Sequence, residues 1–101
     1  MIVYNITIKI NPSILEEWMQ WQKEEHLPEI MATGLFANYQ FYKLLEQDES
    51  DGSTYVVQFF ADSYEKYQQY IDEFAPGLRR KSLEKWGDRF IAFRSILQVV
   101  H

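Results

Sequence analysis

The fold of this chain is decided by its first stretch, residues 2–10, which reads IVYNITIKI. The even-numbered residues of the stretch are all apolar, and the odd-numbered ones are mostly polar. Successive side chains of a strand point to opposite faces, so this period of two, rich in β-branched residues, predicts a strand with one buried face. Asn11-Pro12 should end the strand and start a helix, because Asn is a good N-cap and Pro suits the first helical turn.

The next segments predict a helix and a β-hairpin. The helix carries apolar residues near a spacing of 3.6, and we expect Pro28 to break it, with a short turn continuing at an angle to Gly34. Residues 35–46 and 53–61 then read as two strands. The loop between them contains Asp51-Gly52, which is a common turn signal.

The second half repeats this pattern. Asp62 and Glu65 form a capping box that should open a second helix. Ala75-Pro76-Gly77 interrupts that helix, and residues 89–100 read as a last strand. The order is therefore β-α-β-β-α-β. Because both crossovers should be right-handed, both broken helices should cover the same face of a four-stranded antiparallel sheet. We expect one ferredoxin-like domain of the α+β class over residues 1–101.

Composition excludes several classes of function. The net charge of −5 argues against nucleic acid as a partner, and the single basic run, Arg79-Arg80-Lys81, is typical of a solvated helix face. The chain has no cysteine, which excludes disulfides, thiolate metal sites and a cysteine nucleophile. The N-terminal residues show neither a signal peptide nor a membrane span, so we expect a cytoplasmic protein that does not associate with membranes.

The sheet should have two chemically different faces. The set expected to face the helices is Ile6, Ile8, Phe41, Val57, Phe59, Ile91, Phe93 and Leu97. The set expected on the other face is Asn5, Thr7, Gln40, Tyr42, Gln58, Phe60, Arg94, Ile96 and Gln98. The second set mixes amides with large apolar groups, whereas a solvated face is usually richer in Lys and Glu. It predicts a homodimer joined face to face, with the amides and Arg94 near the junction; the alternative is a monomer.

His26 is the candidate for catalysis, because the other histidine, His101, is the C-terminal residue. It sits at the expected helix break, where an imidazole could act as a general base. A lone histidine is a poor metal site. The structural alternative is that His26 hydrogen-bonds backbone groups freed by Pro28.

A binding site could be built from residues of several elements. Trp18, Trp21 and Trp86 could line an aromatic pocket, although tryptophans at helical spacing more often belong to the core. The candidate binding residues are Asn5, Trp18, Gln40, Tyr42, Gln58 and Arg94.

Several short motifs, in order along almost the whole chain, carry a resemblance to a bacterial family. They are Tyr4-Asn5-Ile6-Thr7, Trp18, His26-Leu27-Pro28-Glu29 with Thr33-Gly34, Ala75-Pro76-Gly77-Leu78-Arg79 and Phe90-Ile91-Ala92-Phe93-Arg94. The chain resembles the uncharacterised domain-of-unknown-function 4286 family. That resemblance implies a fold and no established activity.

More remotely, the architecture is similar to the dimeric α+β barrel superfamily, which includes antibiotic-biosynthesis monooxygenases. The haem-degrading members of that group use an Asn on the first strand with a Trp and a His associated with the second helix. Asn5 could match the first, and Trp86 lies near the end of the second helix, but that helix contains no histidine. We therefore expect no haem and no other cofactor.

Two functional hypotheses stay open. The first, which we favour, is a non-catalytic dimeric module that binds a small apolar or aromatic molecule or serves assembly. The second is a cofactor-independent oxygenase or isomerase acting on a small aromatic substrate. In it His26 accepts a proton while Asn5 or Arg94 holds a developing oxyanion. The second requires that His26 open into one cavity with Asn5 or Arg94.

Overall fold

The computed structural model describes residues 1–101 and contains one antiparallel sheet of four strands. The strands are β1 (Ile2–Ile10), β2 (Asn38–Lys43), β3 (Ser53–Ala61) and β4 (Phe90–Gln98), in the spatial order β2-β3-β1-β4. This is the ferredoxin-like βαββαβ arrangement expected from the sequence. Strand β2 is shorter than the predicted residues 35–46, because its two ends leave the sheet for loops.

Helical segments connect the strands. The first crossover contains a 3₁₀ turn (Pro12–Ile14), α1 (Leu15–Trp21), a π-helical segment (Gln22–His26) and α2 (Leu27–Met31). The second contains α3 (Tyr64–Glu73) and α4 (Ala75–Trp86). Asn11 caps the first crossover as expected, its side chain accepting a hydrogen bond from the Ser13 backbone N–H at 2.9 Å.

Pro28 does not break the first helix, which corrects the sequence prediction. The residues before it widen into a π turn, in which the Leu27 N–H donates to the carbonyl of Gln22. A proline in a regular α-helix clashes with the carbonyl four residues earlier and lacks the N–H that would bond to it. A π turn adds a residue and shifts that ladder, so the helical segments continue through Pro28 to Met31 without an intervening non-helical residue.

The second crossover does break, but at Phe74, and Ala75-Pro76-Gly77 forms the first turn of α4 where the sequence predicted an interruption. Helix α3 ends at Glu73 and α4 starts at Ala75, with Pro76 in its first turn. The N-cap of α3 is Ser63, whose hydroxyl accepts from the Lys66 N–H, and not Asp62 as expected from the capping-box pattern.

The core lies between the helices and one face of the sheet. Its most deeply buried large side chains are Trp18, Leu27, Ile30, Val57, Phe59 and Ile10. A second part of the core is an aromatic cluster around Tyr4, which contacts Phe36, Phe59, Tyr67 and Tyr70. Burial of these groups supplies most of the driving force for folding.

The pairing of β1 with β4 corrects the assignment of β4 side chains to the two faces. Ile6 lies opposite Arg94, and Thr7 lies opposite Phe93. Directly opposed residues share a face. The side of β4 that faces the helices is therefore Phe90, Ala92, Arg94, Ile96 and Gln98, whereas Ile91, Phe93 and Leu97 lie on the other face. Both sides of β4 are rich in apolar residues, so its own sequence could not fix its orientation.

The face without helices is here called the open face. Its residues are Val3, Asn5, Thr7 and Lys9 of β1; Asn38, Gln40 and Tyr42 of β2; Thr54, Val56, Gln58 and Phe60 of β3; and Ile91, Phe93, Ser95 and Leu97 of β4. Phe93 is 67% exposed and Ile91 56% exposed. The exchange of sides in β4 makes the open face more apolar than the sequence had indicated.

Gly52 provides a test of the hairpin. Its φ is +142°, and a Cβ atom there would collide with the carbonyl oxygen of Ile10. We predict that Gly52→Ala lowers the free energy of unfolding by about 1–3 kcal/mol, because the backbone must shift and the conformation disfavours a side chain. Gly77→Ala is the control: it lies in α4 with open space around it. It should stabilise by up to about 1 kcal/mol. Urea unfolding measures both; equal effects would contradict the hairpin geometry.

Candidate functional site

A cavity of about 300 Å³ lies between the helix-facing side of the sheet and the helices. Its lining residues are Ile6, Ile8, Trp18, Gln22, His26, Ile30, Val57, Phe59, Arg79, Ser82, Leu83, Trp86, Phe90, Ala92 and Arg94. The sheet supplies mostly apolar side chains. The polar groups come from three places: the first helix, α4 and one position on β4.

The first helix contributes one face to the cavity. Trp18, Gln22 and His26 are spaced by four residues, so they follow one side of the helix into the π turn. Gln22 is the one fully buried polar side chain of the chain and is 3% exposed. Its amide makes no hydrogen bond within the protein, so its polar atoms are free to bind a guest in the cavity.

His26 stacks on Trp21, with 4.5 Å between the ring centroids and 16° between the planes. Its ring nitrogens make no hydrogen bond to the protein, so the structural alternative of a bond to backbone freed by Pro28 is wrong. Desolvation lowers the pKa of the imidazole from 6.5 to about 4. Glu29 opposes that shift, while Lys81 and Arg94 add to it. His26 is therefore neutral at pH 7.

Helix α4 contributes three polar side chains to the cavity: Arg79, Ser82 and Trp86. A terminal N–H of the Arg79 guanidinium donates to the Tyr4 hydroxyl at 2.9 Å. The Nε atom of Arg79 and the indole Nε1 of Trp86 are buried and have no hydrogen-bond partner. Two buried donors without acceptors are unusual, because each costs desolvation energy that no bond returns.

Strand β4 forms the rim of the cavity. Ala92 and Arg94 face the helices opposite Ile8 and Ile6. The small side chain of Ala92 leaves the space that a larger residue would fill. Arg94 is exposed, and so is Leu83 of α4, which is 59% exposed. The cavity therefore opens to solvent between α4 and β4, with the Arg94 guanidinium at its mouth.

The sequence-predicted site residues divide between the two faces of the sheet. His26, Trp18 and Arg94 line the cavity. Asn5, Gln40, Tyr42 and Gln58 lie together on the open face, where the Gln58 amide donates to the Asn5 side-chain oxygen at 3.1 Å. The expectation that Arg94 lies beside these amides is wrong, because the register of β4 turns it to the helix side. His26 shares its cavity with Arg94 and is separated from Asn5 by the sheet.

Sequence reasoning missed Gln22, Ser82 and the inward position of Arg79. A signal for them was present in the spacing. Gln22 lies midway between Trp18 and His26 on one helix face, and Arg79, Ser82 and Trp86 follow the spacing i, i+3, i+7 on α4. A polar residue inside an otherwise apolar helical stripe indicates a lined cavity or a buried polar contact. Arg79 was instead grouped with its basic neighbours as a solvated face.

Asn5, Trp86 and His26 are not brought together as a haem site built from an Asn, a Trp and a His would require. No cluster of three or more His, Asp or Glu side chains is positioned to hold a metal ion. Asn5 lies on the opposite side of the sheet from His26 and Trp86, so these three cannot meet around one group. None of the helices combines the length and the apolar composition that crossing a bilayer requires.

The sequence profile of the family described as domain of unknown function DUF4286 matches residues 1–100. The chain belongs to the DUF4286 family. The resemblance inferred from the short motifs is thereby confirmed. Among curated proteins, no sequence matches this DUF4286 chain.

Solved structures share the DUF4286 chain's fold at low sequence identity. An ethyl tert-butyl ether (EthD) family protein from Bacillus halodurans is 14% identical with a TM-score of 0.75, covering 99% of this chain and 100% of its own. A dimeric ferredoxin-like protein from an uncultured marine organism is 12% identical with a TM-score of 0.71, covering 99% and 95%. SnoaB, a cofactor-independent oxygenase from Streptomyces nogalater whose crystal structure is that of a mutant, is 9% identical with a TM-score of 0.69, covering 99% and 94%.

These likenesses confirm the remote resemblance to antibiotic-biosynthesis-monooxygenase-like proteins at the level of the fold. Identities this low carry the architecture alone, since one fold hosts many chemistries. Any activity of this DUF4286 chain has to be argued from its own side chains.

The environment of His26 predicts a pH dependence of stability. The folded-state pKa of about 4 lies below the unfolded value of 6.5, so the unfolded chain binds more protons as the pH falls. The stabilising contribution is present above pH 6.5 and is lost toward pH 4, with about 2 kcal/mol gone between pH 7 and pH 5. Urea unfolding of the wild type and of His26→Gln at both pH values measures it. An equal loss in the two proteins would contradict the desolvated position of His26.

Proposed function

We propose that this protein is a homodimeric binding protein that holds a small, largely apolar molecule in the cavity between sheet and helices. The observation that carries the proposal is the cavity itself: ten of its fifteen lining residues are hydrophobic, and its polar groups converge from three elements. Ligand pockets commonly combine an apolar lining with a few polar groups that fix orientation. A volume of about 300 Å³ is at the lower end of the usual range, which suits a compact guest.

The unpartnered polar atoms support a guest in this space. The Nε atom of Arg79 and the Nε1 atom of Trp86 are buried without a protein partner, and the buried Gln22 lines the same cavity. A bound molecule with acceptor atoms would form hydrogen bonds with these donors, in place of the bonds to water that the donors lost on folding. A core built for stability alone would have apolar residues at these positions.

An enzyme of the cofactor-independent oxygenase or isomerase class is the second candidate. It is favoured by one observation, namely that His26 and Arg94 line the same cavity. It is opposed by the pKa of His26, which lies near 4. A general base works best with a pKa near the working pH, so a strongly desolvated imidazole is a weak proton acceptor at neutrality. Asn5, on the other side of the sheet, cannot assist it.

Native mass spectrometry of gently purified protein tests the binding role. We expect a dimer that carries a reproducible additional mass per protomer, and that mass should be chemically unchanged after incubation in aerated buffer. Ala92→Phe, which fills the cavity, should abolish the additional mass. Conversion of the bound compound by the wild type, but not by His26→Gln, would favour the enzyme. A clean spectrum without added mass would contradict the binding proposal.

The open face supports the homodimer. Gln40, Gln58, Asn5 and Ser95 are paired in register and form one polar row across all four strands. Mainly apolar rows flank it on both sides. One row is Asn38, Phe60, Val3 and Leu97, and the other is Tyr42, Val56, Thr7 and Phe93.

This pattern is self-complementary. A two-fold axis through the polar row places each apolar row on the other apolar row of the second copy and lets the amides pair across the junction. A ferredoxin-like neighbour of the same fold is described as dimeric, which agrees with this arrangement. Exposed apolar side chains such as Phe93 and Ile91 would otherwise favour non-specific association.

Phe93→Glu tests the dimer. Burying a phenylalanine contributes about 1.5–3 kcal/mol, and each dimer loses two, so the dissociation constant should rise by about 100-fold or more. Light scattering at micromolar concentration should find the wild type dimeric and the variant monomeric. Leu45→Glu is the matched control, since Leu45 is 70% exposed in the β2–β3 loop. It should remain dimeric. A monomeric wild type would overturn the proposed assembly.

A further inference from the structure

We propose that the guest of this cavity is an anion, namely an apolar molecule with one carboxylate or similarly charged group held at the mouth by Arg94 and Arg79. This inference rests on the proposed binding function and adds the charge of the ligand to it. It is carried by a contrast between the whole chain and the cavity. The chain has 15 acidic residues against 10 basic ones, yet the cavity is lined by two arginines and no carboxylate.

The ion pairs of the protein leave both of these arginines unneutralised. Four salt bridges are present, Lys9–Asp51, Lys43–Glu49, Lys66–Asp62 and Lys81–Glu29, and every cation in them is a lysine. Arg79 has the neutral Tyr4 hydroxyl as its hydrogen-bond partner. Arg94 has no hydrogen-bond or ion-pair partner. The chain has more carboxylates than cations, so two guanidinium groups without a carboxylate partner at one cavity indicate an anion-binding site.

Guanidinium groups suit this role because their planar fork of N–H donors matches the two oxygens of a carboxylate. Additional donors lie in the same cavity wall, since the Nε atom of Arg79 and the Nε1 atom of Trp86 are buried without an acceptor. All of these groups donate hydrogen bonds, and Ser82 and Gln22 can donate as well. A ligand that supplied only donors would leave them unsatisfied.

The one carboxylate that acts on His26 is already paired with a lysine. Glu29 is bound by Lys81 at 3.0 Å. Among the charged groups that act on His26, Glu29 has the largest effect and raises the pKa of the imidazole, while Lys81 and Arg94 each lower it. With Arg94 at the solvent opening and Trp18, Phe59 and Val57 inside, the geometry orients the ligand with its charged end outward and its apolar end toward the sheet.

The experiment uses two probes of one shape and different charge, 2-naphthoate and 2-naphthamide, titrated calorimetrically into the full-length protein. We expect the wild type to bind 2-naphthoate about tenfold or more tightly than the neutral amide. The preference for 2-naphthoate should fall as salt is added, because Arg94 is exposed.

Arg94→Gln should weaken the binding of 2-naphthoate by about tenfold and leave the affinity for 2-naphthamide unchanged. Arg80→Gln, the matched control, removes the same charge from an exposed position of α4 outside the cavity and should change neither affinity by more than about twofold.

The cavity-filling variant Ala92→Phe separates the charge of the ligand from the existence of the binding site. One outcome overturns only the inference of an anionic ligand. In it, Ala92→Phe binds neither probe, whereas the wild type and Arg94→Gln each bind 2-naphthoate and 2-naphthamide with equal affinity. The cavity is then a binding site without a preference for anions. If neither probe binds the wild type at millimolar concentration, or if Ala92→Phe binds as the wild type does, the proposed binding function fails and the inference fails with it.

Discussion

Strand β1 hydrogen-bonds to a neighbour along each of its edges, and the register of its pairing with β4 determines what each face of the sheet can do. Because Ile6 lies opposite Arg94, the Arg94 side chain lies on the helix-facing side of the sheet. Because Thr7 lies opposite Phe93, the largest exposed apolar group of β4 is committed to the open face. A slip of one residue would exchange the two sides, burying Phe93 under the helices and placing a charge among the amides.

Register also explains why a cavity exists at all. The side of β4 that faces the helices carries Ala92 and Arg94, which do not fill the space above Ile8 and Ile6. The π turn contributes from the other wall, since it lets the helix run through Pro28 while Gln22 and His26 stay directed at the sheet. The apolar groups that would have filled this space lie instead on the open face, where a second copy of the chain can cover them. One choice of register thus produces both the proposed binding site and the proposed dimer surface.

Local patterns were sufficient to predict the architecture. The strict alternation of residues 2–10 identified β1 with its bounds, and the strand at residues 53–61 was likewise readable, because each depends on near neighbours in the chain. The division of the second helix was also expected, but it falls at Phe74, one residue before the predicted Ala75-Pro76-Gly77. The faces of β4 were not, since Phe90, Ile91, Phe93, Ile96 and Leu97 make both of its sides apolar and only a long-range pairing decides between them. The prediction that Pro28 breaks the first helix was wrong for a related reason. Proline is unfavourable inside a regular α-helix, and the neighbouring residues do not indicate that a π turn will accommodate it. The same ambiguity in β4 placed Arg94 on the wrong face in the sequence prediction. His26 and Trp18 line the cavity, and their roles there stay predictions.

We propose that the two faces of the sheet have different roles, one in dimerisation and one in ligand binding, and two serines allow these roles to be measured directly. Ser95 lies on the open face in the polar row, and Ser82 lines the cavity. The chain has no cysteine, so Ser95→Cys and Ser82→Cys each introduce a single thiol with little change of volume. The measurement is the rate of maleimide labelling of each variant across a dilution series, with and without 2-naphthoate. We predict that the thiol at position 95 is labelled faster on dilution and that 2-naphthoate does not change its rate, whereas 2-naphthoate slows labelling of the thiol at position 82 at every protein concentration. A thiol at position 95 that labels at one rate throughout, or that 2-naphthoate protects in place of the thiol at position 82, would contradict this division of roles between the two faces.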